Sequence, residues 1–471
     1  VFGSTHTDEL IAFINGNAPK QTDIIKELID KHTPAAHEML KGHDYYFNET
    51  DIQYKRRYFW EDGAKKEDST KANNKLTHGW HNLLVDQKVA YLTGNPLNIS
   101  AESDELQEKV NDTLGDEFDD TLSELVLGAS NKGKEFLHPY IDEEGKFNYV
   151  IIPAEQVIPL YDNSKRKKLL GSIRLYPLDE NVTKIEVWDD KQTTFYEMIN
   201  GQVHLDATVE ENPAPHFSAE FAGRGRFGFG WGRVPFVEFK NNEWGKSDLY
   251  LYKKLADEYD KTRSQFADDL EDVPEAATVL KGYEGQSARE FNDNLRFYKT
   301  IMVSGEPGSG VDKLTVEIPV DAKKEHLDRL SDDIFTFGKG LDTKTDKFGN
   351  SPSGVALKFL YGPLDMKCST LENKFKKALK EFMWFVVEYL NMTEKTSYNV
   401  NELSYTFNKS MITNEAEAVT MAKESKGVIS DRTIIANHPW VTDIGEEMAE
   451  LEKQMESYVD LDQVDDDEES E

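Results

Sequence analysis

Cysteine is almost missing: Cys368 stands alone in 471 residues, so no intrachain disulfide can form and a reducing compartment is expected. Long apolar runs are also lacking. The most apolar stretch, Phe382 to Leu390, is interrupted by Glu388 and falls far short of the ~20 residues that cross a bilayer, so no membrane span is predicted. No charged-then-apolar leader opens the sequence, which adds an expectation of folding in the cytoplasm without secretion. Basic charge is scarce, with 55 Lys and Arg against 88 Asp and Glu and a net charge of −33. Tight wrapping of nucleic acid rests on neutralising phosphates and is disfavoured. A conduit along which a duplex slides is compatible with the same charge, because like charge keeps the duplex from adhering.

The motifs of chemistry are missing as well. Nowhere does GxxxxGK[ST] occur, which disfavours an ATP-driven motor subunit. Gly223, Gly225 and Gly228 reproduce the spacing GxGxxG, but no predicted strand feeds them and the following FGFGWGRVP breaks helices, so a flexible basic loop is expected. Gly305, Gly308 and Gly310 lead into Val311-Asp312 rather than a Lys-Ser/Thr pair, which reads as a hairpin turn. His78 and His81 lack an HExxH partner set and read as two helix-face imidazoles beside Trp80. Acid pairs such as Asp119-Asp120, Asp268-Asp269 and Asp332-Asp333 do not face each other on a helix; they are expected to be solvated surface or subunit contacts. GxSxG is absent, so no catalytic residue, metal ligand or cofactor is expected, and the chain is not read as an enzyme.

What the sequence does hold is apolar mass: 38% hydrophobic residues, including 25 Phe, 20 Tyr and 7 Trp, enough for several packed domains over this length. Helical spacing runs from Thr7 to about Lys41, and a second helix is predicted from Thr77 to Leu92, with Leu84, Lys88 and Tyr91 on one face and Gly94 and Pro96 ending it. Between about Glu135 and Phe239 the pattern alternates, with turn pairs at Glu144-Gly145 and Asn200-Gly201, which predicts an antiparallel sheet. Lys165-Arg166-Lys167-Lys168 reads as an exposed turn, or as a contact with nucleic acid or an acidic neighbour.

Two helical rods follow. Ser247 is placed as an N-cap before Leu251, Leu255, Tyr259, Thr262 and Phe266, and Asp321 as the cap before Leu327, Leu330, Ile334, Phe337 and Leu341. Between them lies a small mixed insertion. A polar loop, TKTDKFGNSPSG, then leads into a long helix from Ser353 to about Asn391, with Leu364, Cys368, Leu371, Phe375, Leu379, Phe382, Val386 and Leu390 in helical register and a kink predicted at Gly362-Pro363. Further helices are expected from Glu415 to about Tyr458, before an acidic tail.

Six fragments in order, YYFNETDIQYKRR, NNKLTHGWHNLLVDQKVAYLTGNP, NKGKEFLHPYIDEEGKFNYVIIPAEQVI, GWGRVPFVEFKNNE, IPVDAKKEHLDRL and GNSPSGVALKFLY, closely resemble the portal proteins of long-tailed phages of Gram-positive hosts. The resemblance implies an α+β portal fold: a wing of helices and antiparallel sheet (1–240), stem helices (241–267 and 319–340), a small α/β clip between them (268–318), a tunnel loop (341–352), a long kinked helix returning to the wing (353–392), a helical crown (393–460) and an acidic, disordered tail (461–471). It further implies a ring of twelve copies at one capsid vertex, or thirteen when isolated, through which DNA is packaged and later ejected. The implied partners are the terminase, head-completion and adaptor proteins, the major capsid and scaffolding proteins, and double-stranded DNA. The place is the virion, after assembly in the host cytoplasm. Lys344, Lys347, Phe348, Gly349 and Asn350 would line the channel; Leu251, Leu255, Tyr259, Leu327, Leu330 and Ile334 would pack the stem; Tyr283, Glu284, Arg289 and Arg296 would face the clip's partners. Two rival readings remain: a head or neck protein without a channel, separable by whether copies enclose a hole, and a packaging nuclease, which needs a clustered acidic metal site.

Overall fold

The computed structural model describes residues 10–14, 16, 20–165, 167–221, 225–272, 277–281, 307, 310–314, 318–342, 354–410, 415–436, 438, 440–441, 445, 447–451 and 453–454. A helical turn at 10–14 precedes α1 (Gln21–Tyr46), which buries Ile25, Met39 and Tyr45 and runs five residues past the predicted end. Gly42 lets α1 approach α4 closely, since a Cβ there would lie 1.8 Å from the Asn131 carbonyl oxygen. Next come the hairpin strands β1 (Tyr58–Glu61) and β2 (Ala64–Glu67), α2 (Trp80–Thr93) and β3 (Asn98–Ala101). Helix α3 (Asp104–Leu114) is capped by the Ser103 hydroxyl, which accepts from the Leu106 N–H, and α4 (Phe118–Lys132) follows it.

The sheet region is antiparallel, as its alternation predicts. Strands β4 (Lys134–Ile141), β5 (Phe147–Ile152), β6 (Val157–Tyr161), β7 (Leu169–Pro177), β8 (Val182–Trp188), β9 (Gln192–Ile199), β10 (Gln202–Leu205), β11 (Ala214–Pro215), β12 (Phe217–Phe221), β13 (Gly225–Phe229) and β14 (Val237–Lys240) form three assemblies. One has the order β10-β9-β8-β7-β6, with β11 added to β9; another is β14-β4-β5; the third is the β12-β13 hairpin. Asn200 and Gly201 both have positive φ, as a two-residue hairpin turn requires. The GxGxxG match is overturned as a flexible loop: Gly225 and Gly228 lie in β13, paired with β12. Lys165, Lys167 and Lys168 sit exposed in the turn between β6 and β7.

Helix α5 (Lys253–Asp272), strands β15 (Ala277–Lys281) and β16 (Gly310–Leu314), and α6 (Val320–Gly338) come next, with β15 and β16 pairing so that the inserted segment starts and ends side by side. Helix α7 (Gly354–Glu394) has 41 residues, about 60 Å at 1.5 Å per residue, and the helix assignment runs unbroken through Pro363. Strand β17 (Leu403–Thr406) pairs with β3, returning the chain to the body, and α8 (Glu415–Ser425) and α9 (Asp431–Ala436) follow.

The largest core is wrapped around α7. All eight of its predicted apolar positions, Leu364 through Leu390, are buried, packed with α2, α3, α4 and the β14-β4-β5 sheet. A second core sets Leu10, Phe13 and Ile25 against one face of the five-stranded meander through Ile173, Ile185 and Tyr196. Phe382 is fully buried and stacks on Phe118, so Phe382→Ala should cost about 3–5 kcal/mol in denaturant unfolding, the range for truncating a buried aromatic. Leu178→Ala, at an exposed turn, should stay within about 0.5 kcal/mol of the parent.

Candidate functional site: the α5–α6 pair and its anchor

A helix of twenty residues is about 30 Å long, and α5 has no stable place unless one face is covered and its polar groups are matched. One flank carries the apolar contact. Leu255 and Tyr259 pack with Tyr252, Leu84, Leu249 and Tyr45 against Ile334 and Phe335 of α6, and Leu327 and Leu330 are buried along the same side of α6. Near the other end, Lys323 of α6 is paired with Asp269 and stands 5.3 Å from the Phe266 ring centroid. Of the six predicted stem residues, Leu255, Tyr259 and Ile334 share one packed cluster, and Leu327 and Leu330 are buried. Leu251 is not: it lies in a 3-10 turn, Asp248–Leu251, and is 43% exposed. The α-helix starts only at Lys253 because the Ser247 hydroxyl caps that turn, accepting from the Leu249 N–H, and not the helix behind it. Asp321 is likewise not a cap; it sits in the first turn of α6, after Pro319 at the cap position.

The other flank is polar, and every fourth residue takes part. Asp260 accepts from Thr50 Oγ1 at 2.9 Å and lies 2.8 Å from His78 Nδ1; Ser264 Oγ accepts the Leu76 N–H at 2.9 Å. Asp268 accepts Lys55 Nζ at 2.5 Å, Arg57 Nη2 at 3.1 Å and the Asn74 N–H at 2.6 Å. Asp272 accepts Arg57 Nη1 at 2.8 Å and the Ala72 N–H at 3.2 Å. Spacing by four keeps these residues on one stripe, so the two stretches that flank the β1-β2 hairpin, 50–57 and 72–76, are laced along α5. The Asp268 side chain is wholly excluded from solvent, which corrects its reading as a solvated acid. Burial pushes its carboxyl up, but donation from Lys55 and Asn74 outweighs that and holds it below the usual range.

A third group of contacts joins the far end of α6 to α2 and α7. Asp248 lies between Lys88 Nζ at 3.1 Å and Lys367 Nζ at 2.9 Å, all three buried. Burial would raise the Asp248 carboxyl, yet the two ammonium groups hold it well below the usual carboxylate range. Lys88 also donates to Asn241 Oδ1 at 2.5 Å, and Lys367 donates to the Gly338 carbonyl at 3.1 Å. Gln87 clamps both backbone groups of Leu341, donating to its carbonyl at 2.7 Å and accepting its N–H at 2.8 Å. The exit of α6 is thus fixed just before residue 343. Lys344, Lys347, Phe348, Gly349 and Asn350 lie outside the described residues, as do Tyr283, Glu284, Arg289 and Arg296.

His78 and His81 diverge rather than converge. His78 precedes α2 and goes to Asp260; His81 is buried with Nδ1 2.6 Å from the Tyr252 hydroxyl, and burial pushes it down to about 4. No group of three or more His, Cys, Asp or Glu among the described residues could hold a metal ion. The hairpin β1-β2 was missed in the sequence, although Asp62-Gly63, flanked by strand formers, is the strongest short-range hairpin signal.

Two helices, fastened to each other by apolar packing and on another flank by buried acids, make a stiff rod. Residues 25–460 match the family described as phage portal protein, SPP1 Gp6-like. The portal protein of Bacillus phage SPP1 is 39% identical over 472 residues, covering 98% of this chain and 92% of that protein; the portal protein of Clostridium phage phiCD119 is 33% identical over 444 residues, covering 90% and 93%. The chain belongs to this portal protein family. Among solved structures, the neck of an empty GTA particle computed with C6 symmetry resembles it at a TM-score of 0.47 and 11% identity, over 77% of this chain and 90% of the other.

Breaking a buried ion pair by removing one partner costs about 3–5 kcal/mol, because the remaining charges lose their match. Asp268→Asn should therefore lower the melting temperature by several degrees at pH 7, whereas exposed Asp321→Ala should leave it unchanged. The folded Asp268 carboxyl lies below its unfolded value of about 3.9, so its contribution is present above that pH and is lost as pH falls through the folded value. Melts of parent and Asp268→Asn should therefore converge as pH drops below about 4, and a gap unchanged with pH would contradict this.

Proposed function

We propose that copies of this chain close head to tail into a ring at one capsid vertex, with α5 and α6 of each copy forming the wall of a channel for double-stranded DNA. The observation that carries this reading is the asymmetry of α5: one flank meets α6 while another is laced to segment 50–76, which suits a repeating wall element. Membership of the portal family supports it. The motion of DNA is driven elsewhere, by the terminase, and the net charge of −33 discourages adhesion of the duplex to the ring.

Twelve copies would sit in the capsid, and thirteen are possible in isolated rings. The segment between α5 and α6, with Tyr283, Glu284, Arg289 and Arg296, would face the terminase during packaging and head-completion or adaptor proteins afterwards. The body around α7 would meet capsid and scaffolding proteins. Residues 341–352 would reach the narrowest part, where Lys344, Lys347, Phe348, Gly349 and Asn350 make brief contacts with the phosphate backbone. The Gln87 clamp on Leu341 favours this, since it roots one end of that loop firmly.

Negative-stain images of the purified chain should show end-on rings with a central hole. A monomer, or a closed particle without a hole, would overturn the channel. Deleting residues 343–350 should leave ring formation intact and reduce the DNA content of particles; unchanged filling would count against the loop's role.

A further inference from the structure

Where α1, α4 and β4 meet, charge is buried without a full match. Lys132, the last residue of α4, places Nζ 3.1 Å from Glu135 Oε1 and 3.0 Å from Glu155 Oε2. Glu135, at the start of β4, also accepts the Ala154 N–H on Oε1 at 3.2 Å, while its Oε2 is buried and accepts no hydrogen bond from the described residues. The side chains of Lys132, Glu135 and Glu155 are 11%, 3% and 19% exposed, so little water reaches any of them. Helix α4 closes the cluster from above: a Cβ on Gly128 would lie 3.1 Å from Glu135 Cδ and 3.2 Å from its Oε2, so the helix backbone lies directly against the carboxyl group. Two carboxylates share one ammonium, and with all three ionised the cluster would hold a net charge of −1 away from water, a state that burial strongly disfavours.

The other titratable groups facing the cluster do not supply the missing charge. His32 of α1 reaches it only through the Glu155 carbonyl oxygen, 2.9 Å from Nε2, and burial pushes this imidazole below its ordinary value, so it is neutral at pH 7. Lys134 of β4 turns to Glu238 of β14 at 3.1 Å. Burial therefore raises the Glu135 carboxyl to about 7, with Lys132 pulling against the shift and Glu155 adding to it. Glu155 lies in the 3-10 turn Ala154–Gln156, by which the chain passes from β5, in the sheet packed on α7, to β6, at the edge of the meander.

We propose that Glu135 and Glu155 share one proton in the folded chain, and that its loss as pH rises loosens the joint between α4, β4 and this turn. The proton cancels the surplus charge of the cluster. Once it leaves, the second carboxylate charge draws in water, which enters most readily beside Glu155, the more exposed of the pair. The device acts within one copy and does not depend on the ring.

The test uses the full-length chain, with Glu135→Gln keeping the shape of the side chain and removing its ionisation. The folded value lies above the unfolded value of about 4.3, so the parent loses stability as pH rises from there through about 7 and levels off above. In thermal melts Glu135→Gln should gain on the parent across that window, by several degrees in all, with no further gain above about pH 8. A gap that stays constant from about pH 5 to 8 would overturn the proposal. Glu155→Gln, compared with Glu135→Gln/Glu155→Gln, should show the same window lower by about one unit, because the proton is no longer shared; an unmoved window would mean that Glu135 titrates alone and would overturn the sharing. In the unaltered chain, exchange of the Ala154, Glu155 and Gln156 amides, corrected for its intrinsic pH dependence, should quicken about tenfold between about pH 6 and 8 while 375–390 in α7 keep their protection. Equal protection of the turn at both values would overturn the joint whether or not the variants fold.

Discussion

A buried aspartate on a helix is the constraint on which this architecture turns. Asp268 is removed from water and must be matched or it would unfold its surroundings. It is matched by three partners of segment 50–76 that are distant in sequence: Lys55, Arg57 and Asn74. Such a set adds little net stability over an apolar equivalent, but it tolerates only one alignment of segment against helix. With Asp260, Ser264 and Asp272 it fixes the rotation of α5 about its own axis, and therefore which flank is left for α6.

From that alignment the rest follows in order. Tyr259 and Leu255 face Ile334 and Phe335, so α6 is oriented by α5; Lys88, Asp248 and Lys367 then join the upper end of the pair to α2 and α7. Helix α7 is held in the largest core, which makes it the firm element to which the rod is attached. A rod built this way places its positional information in buried charge and its stability in apolar packing. The division suits a component of the portal family, which keeps its shape instead of performing chemistry.

Apolar periodicity was the part of the structure most legible in the sequence. Phe375, Leu379, Phe382 and Val386 announce a buried helix face by spacing alone, and β8 and β9 announce their sheet by alternation. Polar contacts over some two hundred residues carry no period, so the partnership of Lys55 and Arg57 with Asp268 was invisible and the aspartate passed as surface. Leu251 was misplaced for a local reason: helical spacing continues through the 3-10 turn, and only the Ser247 geometry separates it from α5. The family signal lies in the order of the six fragments, and the chain belongs to the portal family.

Hydrogen exchange of backbone amides in the unaltered, assembled protein tests the central claim most directly. If buried carboxylates fasten the rod, amides of 260–272 should be protected to a degree comparable with those of 375–390 in α7, the helix within the largest core. Exchange across α5 as fast as that of an unsupported helix, with α7 still protected, would contradict the account.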